Sequence, residues 1–370
     1  MKLWYHITII NAFSNENKKT RKKDIMIKKI NGDLCHDLLV KNAPRKLAYD
    51  KSKDFYQWKS DVKQKLTELL KLDRIAENAC PLNIEIEEHI EEAEYRRIRF
   101  TFESEKGSTV PCYLLVPKGE KTYPLAITIQ GHGSGFHNSV GIKKYEVDYI
   151  NAEKWDFAVQ AVKNGFAALA IEQRGMGERQ SLQYENPTVQ ACAVTVMRAL
   201  SVGRTVLGER VWDISRAIDA LNEIKMPSVD LTKIIIAGES GGGTASFYAG
   251  CLDNRISVVA PVCAFCSYED SILAMHHCCC NYIPEMCDWF EMGDLSCLIA
   301  PRKFIPFAGA KDPIFPIEGV QKSFDTATAV YEKAGAPSSC KLVVMPKDHY
   351  WCKDIIWDNM ISVAKELEWF

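Results

Sequence analysis

Long apolar runs are missing from this sequence. No stretch of about 18 or more uninterrupted apolar residues occurs, so no transmembrane helix is expected. A surplus of charge is missing too: 46 Lys and Arg against 48 Asp and Glu leave a formal −2. That balance excludes the basic footprint of a nucleic-acid binder. Internal repeats are absent, and the only low-complexity segment is the basic run Lys18–Lys23. Histidine is scarce, with eight in all.

Cysteine is plentiful, at fourteen, but a disulfide framework is lacking. The cysteines are scattered from Cys35 to Cys352, and the adjacent Cys278, Cys279 and Cys280 cannot easily all find separate bridging partners. This usage predicts reduced thiols in a cytoplasmic protein, many of them buried as small hydrophobes. Leu3–Phe13 is fairly apolar and follows Lys2, which faintly resembles a signal peptide. His6 and Asn11 interrupt it, and basic residues stand where a cleavage site belongs. Residues 1–25 are therefore expected to be a poorly ordered extension, with Met26 an alternative start.

What remains is ordinary globular material, 47% hydrophobic and 25% charged. Phe55, Trp58, Val62, Leu66 and Leu69/Leu70 recur at spacings of three and four, predicting a helix over 54–72 within an accessory segment, 26–82. Ile84, Ile86, Ile98, Phe100 and Phe102 alternate with polar residues, predicting an antiparallel meander over 83–117 with a strand at Val110–Val116. Short continuous apolar runs follow: Leu125–Ile129, Phe166–Ile171, Ile234–Ala237, Val258–Val262, Lys303–Ala308 and Leu342–Met345. Such runs suit strands covered on both faces. Helical patterns lie between them, the clearest being Val211, Ile214, Ile218 and Leu221. Buried strands alternating with helices make a parallel sheet, whose site lies at the carboxyl ends of the strands.

The chemistry sits at those ends. The strand Ile234–Ala237 runs into Gly238-Glu239-Ser240-Gly241-Gly242, a G-x-S-x-G elbow. Such an elbow holds its serine on a strained turn, and the two glycines let the chain cross itself. Ser240 is the expected nucleophile. His349 follows the last strand by a short turn and is the expected base. Asp312, in the loop after Lys303–Ala308, is the expected orienting acid. Its rival is Asp348, whose adjacency to His349 points it away, with Asp294 a distant third. The expected oxyanion donors are the N–H of Gly241 and that of His132 or Gly133 in the turn Gln130-Gly131-His132-Gly133-Ser134-Gly135.

These residues, together with Gln173-Arg174-Gly175-Met176-Gly177-Glu178, Trp212–Ile218, Leu252–Ile256 and Ala300-Pro301-Arg302, make the chain resemble the acetyl xylan esterase-like branch of the α/β-hydrolases. Dienelactone hydrolases and prolyl-oligopeptidase-type catalytic domains are relatives of that branch. The resemblance runs from about Asp54 to the C-terminus. It implies an α/β-hydrolase fold: a mostly parallel central sheet flanked by helices, with antiparallel N-terminal strands. The N-terminal accessory helix precedes this catalytic domain, 83–370, and a small cap insertion over 264–298 is expected within it. It also implies hydrolysis of small-molecule esters, often acetyl esters on carbohydrate, without a cofactor, by Ser240, Asp312 and His349. The Ser-Gln-Gly-Gly elbow of cephalosporin and xylan deacetylases is not present here; Ser240-Gly241-Gly242-Gly243 stands in its place. Two rival readings are a peptidase of short peptides and a non-catalytic binding protein.

Three further residues are candidate substrate contacts: Arg174 by a bidentate fork, and Tyr282 and Trp289 from the cap. A structural ion pair for Arg174 and core packing for the aromatics are the competing roles. Met275-His276-His277-Cys278-Cys279-Cys280 invites a metal, but contiguous ligands rarely converge on one ion, so none is expected. No membrane or nucleic-acid partner is expected either.

Overall fold

The computed structural model describes residues 30–370. The expectations for residues 1–25 and for Met26 lie outside it. Contacts divide the chain after Asn42. Before that point the short helix Leu34–Lys41 buries no side chain.

From Ala43 onward ten strands form one sheet: β1 (Glu85–Glu91), β2 (Tyr95–Glu105), β3 (Ser108–Pro117), β4 (Tyr123–Ile129), β5 (Ala167–Ile171), β6 (Val229–Glu239), β7 (Ile256–Val262), β8 (Lys303–Phe304), β9 (Phe307–Gly309) and β10 (Val343–Met345). Their order is β1-β2-β3-β5-β4-β6-β7-β9-β10, with β8 alongside β7. β1, β2 and β3 pair antiparallel, as does β3 with β5. From β5 to β10 every pairing is parallel. Among the described residues no single helix is long and apolar enough to cross a membrane.

The apolar strands are continuous because both faces are covered. Leu125, Ile127, Ile129, Ile234 and Ile236 point into one core, which takes in the helices Phe55–Leu69, Val206–Ile224, Gly241–Leu252 and Ile317–Lys333. Ala126, Ile235 and Ala237 point the other way, against Phe157–Lys163 and Lys353–Glu366. This alternation is the two-residue period of a strand. Asp54 caps the first of those helices, accepting from the Gln57 N–H at 2.8 Å, and Thr205 caps Val206–Ile224. The run 303–308 divides into β8 and β9. Pro306 lies at the gap, and a proline has no N–H for the ladder. Ala264–Leu298 winds through three short 3-10 turns and packs into the larger core by Phe265, Tyr268, Phe290 and Leu295.

Candidate active site

The elbow is built by close approach. β6 delivers Ser240, which sits at φ 57°, ψ −123° before the helix Gly241–Leu252. Its N–H donates to the Val262 carbonyl at 2.9 Å, and its carbonyl accepts from the Thr244 N–H at 2.9 Å. A Cβ on Gly238 would come within 2.5 Å of the Gly242 carbonyl, and one on Gly242 within 2.2 Å of the Ile129 oxygen. Both glycines are therefore obligatory, and the serine side chain is pushed into the open. Gly241 opens the helix, so its N–H is among the first-turn amides with no intrahelical acceptor.

His349 and Asp312 meet at the same end of the sheet. The imidazole Nδ1–H donates to Asp312 Oδ2 at 2.8 Å. A carboxylate only accepts, so this bond puts the proton on Nδ1 and leaves Nε2 with a free lone pair. Asp312 Oδ1 accepts from the backbone N–H groups of Ile314 and Phe315, both at 3.0 Å. The Phe315 ring stacks on the imidazole, with centroids 5.8 Å apart and planes 14° apart. The Asp312 side chain is fully buried, whereas that of His349 is 24% exposed. Asp348 is exposed, and both oxygens of Asp294 are taken by the N–H groups of Tyr49 and Glu291.

The turn after β4 lies against the elbow. A Cβ on Gly131 would stand 2.9 Å from the Glu239 oxygen and 3.2 Å from Ser240 Cβ. Gly131, His132 and Gly133 line one cleft with Ser240, His349, Glu239, Lys154 and Trp155. That cleft encloses about 140 Å³. A second hollow of about 550 Å³ adjoins it, sharing His132, Gly133 and Trp155 and running out past Tyr145, Met176, Pro187 and Val189.

Buried carboxylates hold this turn from two sides. Glu172 Oε1 accepts from Gln130 Nε2 at 2.8 Å, and its Oε2 accepts from the N–H groups of Phe136 and Glu178. Burial pushes this carboxyl up to about 8 despite those donors. Asp148 accepts from His137 Nε2 at 2.9 Å, from the N–H groups of Lys144 and Tyr145 at 2.8 Å each, and from the Ser134 hydroxyl. Burial works to raise this carboxyl, but the four donors outweigh it and hold the acid well below its usual range. Within the cleft, burial raises the Glu239 carboxyl, with Lys154 3.5 Å away opposing the shift.

Ser240, His349, Asp312 and the turn at 131–133 are thus gathered at one rim; the three candidate substrate contacts are not. Arg174 is consumed by acidic neighbours: Asp213 through two bonds of 2.8 Å, Glu105 at 2.7 Å and Glu209 at 3.4 Å. The Tyr282 hydroxyl donates to the Ile272 carbonyl at 2.8 Å. Trp289 lies under the ammonium groups of Lys46 and Lys65. None of the three lines the cleft or the adjoining hollow, and neither does any residue of 264–298. The sequence reading did not anticipate Lys154 and Trp155. They stand on a short helix far from any motif, and only their position carries them to the rim.

Known proteins share this frame. The inferred hydrolase YtaP of Bacillus subtilis (strain 168) is 25% identical over 244 residues, 65% of this chain and 78% of that protein. The crystal structure of an inferred acetyl xylan esterase from Bacteroides fragilis superposes with a TM-score of 0.73. The alignment covers 91% of this chain and 96% of that one at 15% identity. A glucuronoyl esterase from Solibacter usitatus gives a TM-score of 0.60 over 87% and 96% of the two chains, also at 15% identity. At such identities the likeness concerns the fold. The sequence model of the Abhydrolase family matches residues 30–350, and the chain belongs to that family.

Proposed function

We propose that this protein is a serine ester hydrolase that works through an acyl-enzyme. Ser240 is the nucleophile, His349 the base and Asp312 the carboxylate that orients the base. The observation carrying this reading is the 2.8 Å His349–Asp312 bond at the mouth of a cleft that also holds Ser240. His349 Nε2 takes the serine proton as Oγ attacks the ester carbonyl. The N–H of Gly241, with that of His132 or Gly133, holds the oxyanion. The bond to the alcohol oxygen then breaks as Nε2 returns the proton to it, and a water activated by Nε2 releases the acid.

Cleft size suggests the substrate class. The cleft beside Ser240, about 140 Å³, is the smaller of the two hollows, which suits a short acyl group such as acetyl. The larger hollow suits the alcohol, a small acetylated sugar being our choice, with Trp155 offering a flat apolar wall. We place the protein in the cytoplasm, a reading supported by fourteen cysteines without a disulfide.

The test is a series of p-nitrophenyl esters from acetate to octanoate, acetylated monosaccharides and a prolyl anilide. The acetate should be preferred over the octanoate, and Ser240→Ala should remove turnover. Preference for the octanoate would refute the acyl assignment; faster cleavage of the anilide would refute the esterase reading. Near-wild-type turnover by Ser240→Ala would remove the serine from the mechanism.

A further inference from the structure

We propose that Cys192, Cys278, Cys280 and His132 form a structural zinc site that ties down the turn 131–133. These side chains come from three separate places: the turn after β4, the helix Val189–Ser201 and the 3-10 turn Cys279–Asn281 with its preceding residue. Their candidate ligand atoms all lie within 4.8 Å of one another. Cys278 Sγ is 3.6 Å from Cys192 Sγ, and Cys280 Sγ is 3.5 Å from His132 Nε2. Tetrahedral zinc, with bonds of about 2.3 Å to sulfur and about 2.0 Å to nitrogen, puts two sulfurs about 3.8 Å apart and a sulfur and a nitrogen about 3.5 Å apart. Both measured edges match.

The donor set and its surroundings fit the same ion. Three thiolates and one imidazole are a ligand set of structural zinc, and four protein ligands leave no open position for substrate or water. Cys192 and Cys280 are buried against Val196, Ala199 and Val206, whereas Cys278 and His132 are half-buried, His132 on the side of the cleft. Three thiolates and a dication leave a net charge of −1. The fully buried Arg210 offsets it, its guanidinium donating to Cys192 Sγ at 3.2 Å.

The consequence falls on the cleft. His132 Nδ1 would be only 3.0 Å from a Cβ on Gly241, so the imidazole lies over the residue that follows Ser240. A metal bond at Nε2 fixes that ring, and the ring fixes the backbone of 131–133. The contiguous run 276–280 hides this arrangement: Cys278 and Cys280 converge with partners 86 and 148 residues away, while Cys279 lies outside the cluster.

The test is metal analysis of the untagged full chain, purified with a thiol reductant and without chelator. About one zinc per chain is expected. Cys192→Ser and Cys280→Ser should reduce it at least tenfold, whereas Cys279→Ser and the inactive Ser240→Ala should keep it. Cobalt exchanged into the wild-type protein should show the intense visible bands of a tetrahedral thiolate site, a readout needing no variant to fold. Folded wild-type protein that takes up neither zinc nor cobalt would overturn the proposal. So would equal loss in Cys279→Ser, or recovery of a Cys192–Cys278 disulfide from protein purified in this way.

Discussion

Asp312→Asn is the substitution most tightly constrained by this geometry. In an asparagine one oxygen becomes an NH₂ group, and two arrangements compete. If the amide oxygen keeps the Oδ1 position, it still accepts from the N–H groups of Ile314 and Phe315. The NH₂ then faces His349 Nδ1. If the amide flips, two backbone donors face a donor, and both lose their acceptor in a buried place, at about 1–3 kcal/mol each. The first arrangement wins. The imidazole must then present a lone pair at Nδ1 and carry its proton on Nε2, the atom that should take the serine proton. The fold survives, because both backbone bonds survive, but the base is in the wrong tautomer. Comparable loss in other triads is on the order of 10⁴ in kcat, equivalent to about 5 kcal/mol of barrier. Steady-state hydrolysis of p-nitrophenyl acetate, alongside thermal unfolding, separates the two effects. We expect the rate to collapse with Tm within about 3 °C of wild type. Asp348→Asn, on the exposed neighbour, should change neither. A rate for Asp312→Asn within tenfold of wild type, or a collapse in Asp348→Asn instead, would refute the reasoning.

Three other substitutions follow from the same frame. Ser240 at φ 57°, ψ −123° stores strain that alanine cannot release and glycine can. Ser240→Gly should therefore unfold later than Ser240→Ala, by about 1–3 kcal/mol in denaturant melts; equal stability would show that the elbow is unstrained. Gly242→Ala puts a methyl 2.2 Å from the Ile129 carbonyl oxygen, so expression should yield insoluble or unfolded chains, and a soluble active variant would contradict the packing. Asp148→Ala strips the acceptor from His137, Ser134 and two backbone amides, and should lose roughly 3–5 kcal/mol. In the wild type this acid is held below its unfolded value. Its contribution is therefore complete above about pH 4 and fades as pH falls further. The stability gap between Asp148→Ala and wild type, followed by urea unfolding, should narrow on acidification; a gap independent of pH would be the contrary result.

The parts of this molecule that sequence anticipates are those whose physical cause is local. An elbow needs glycines two residues either side of the serine because the chain must cross there, and that need appears as consecutive letters, Gly238 to Gly242. Buried strands appear as unbroken apolar runs because both faces are covered, as at Leu125–Ile129. Asp312 and His349 were accessible through order along the chain, since each must sit just past a strand of the same sheet. Position past a strand fixes the rim but not the direction of a side chain. Arg174 follows β5 as expected, yet Glu105 from β2 and Asp213 and Glu209 from a distant helix claim its guanidinium. None of those acids is near it in sequence. Aromaticity was equally uninformative for Tyr282 and Trp289, because core packing and pocket lining demand the same residue types.

Convergence across long separations is the feature that letters conceal. Cys192, Cys278, Cys280 and His132 carry no spacing motif, and the contiguous run 276–280 argued against a metal while two of its members belong to the cluster. The two carboxylates beneath the turn 130–137 are a second instance. Asp148 and Glu172 meet Ser134, His137, Gln130 and Phe136 only because β4 and β5 are neighbours in the sheet and the chain between them folds back over the rim. All three devices act on one short turn, which bears the backbone amides expected to face the oxyanion. A site that stabilises charge through preorganised dipoles needs those dipoles fixed before substrate arrives. The residues that fix them must come from outside the turn, since a glycine-rich segment cannot stiffen itself. Support for the oxyanion turn is therefore distributed along the chain by physical necessity, and this is why it was the least legible part of the site.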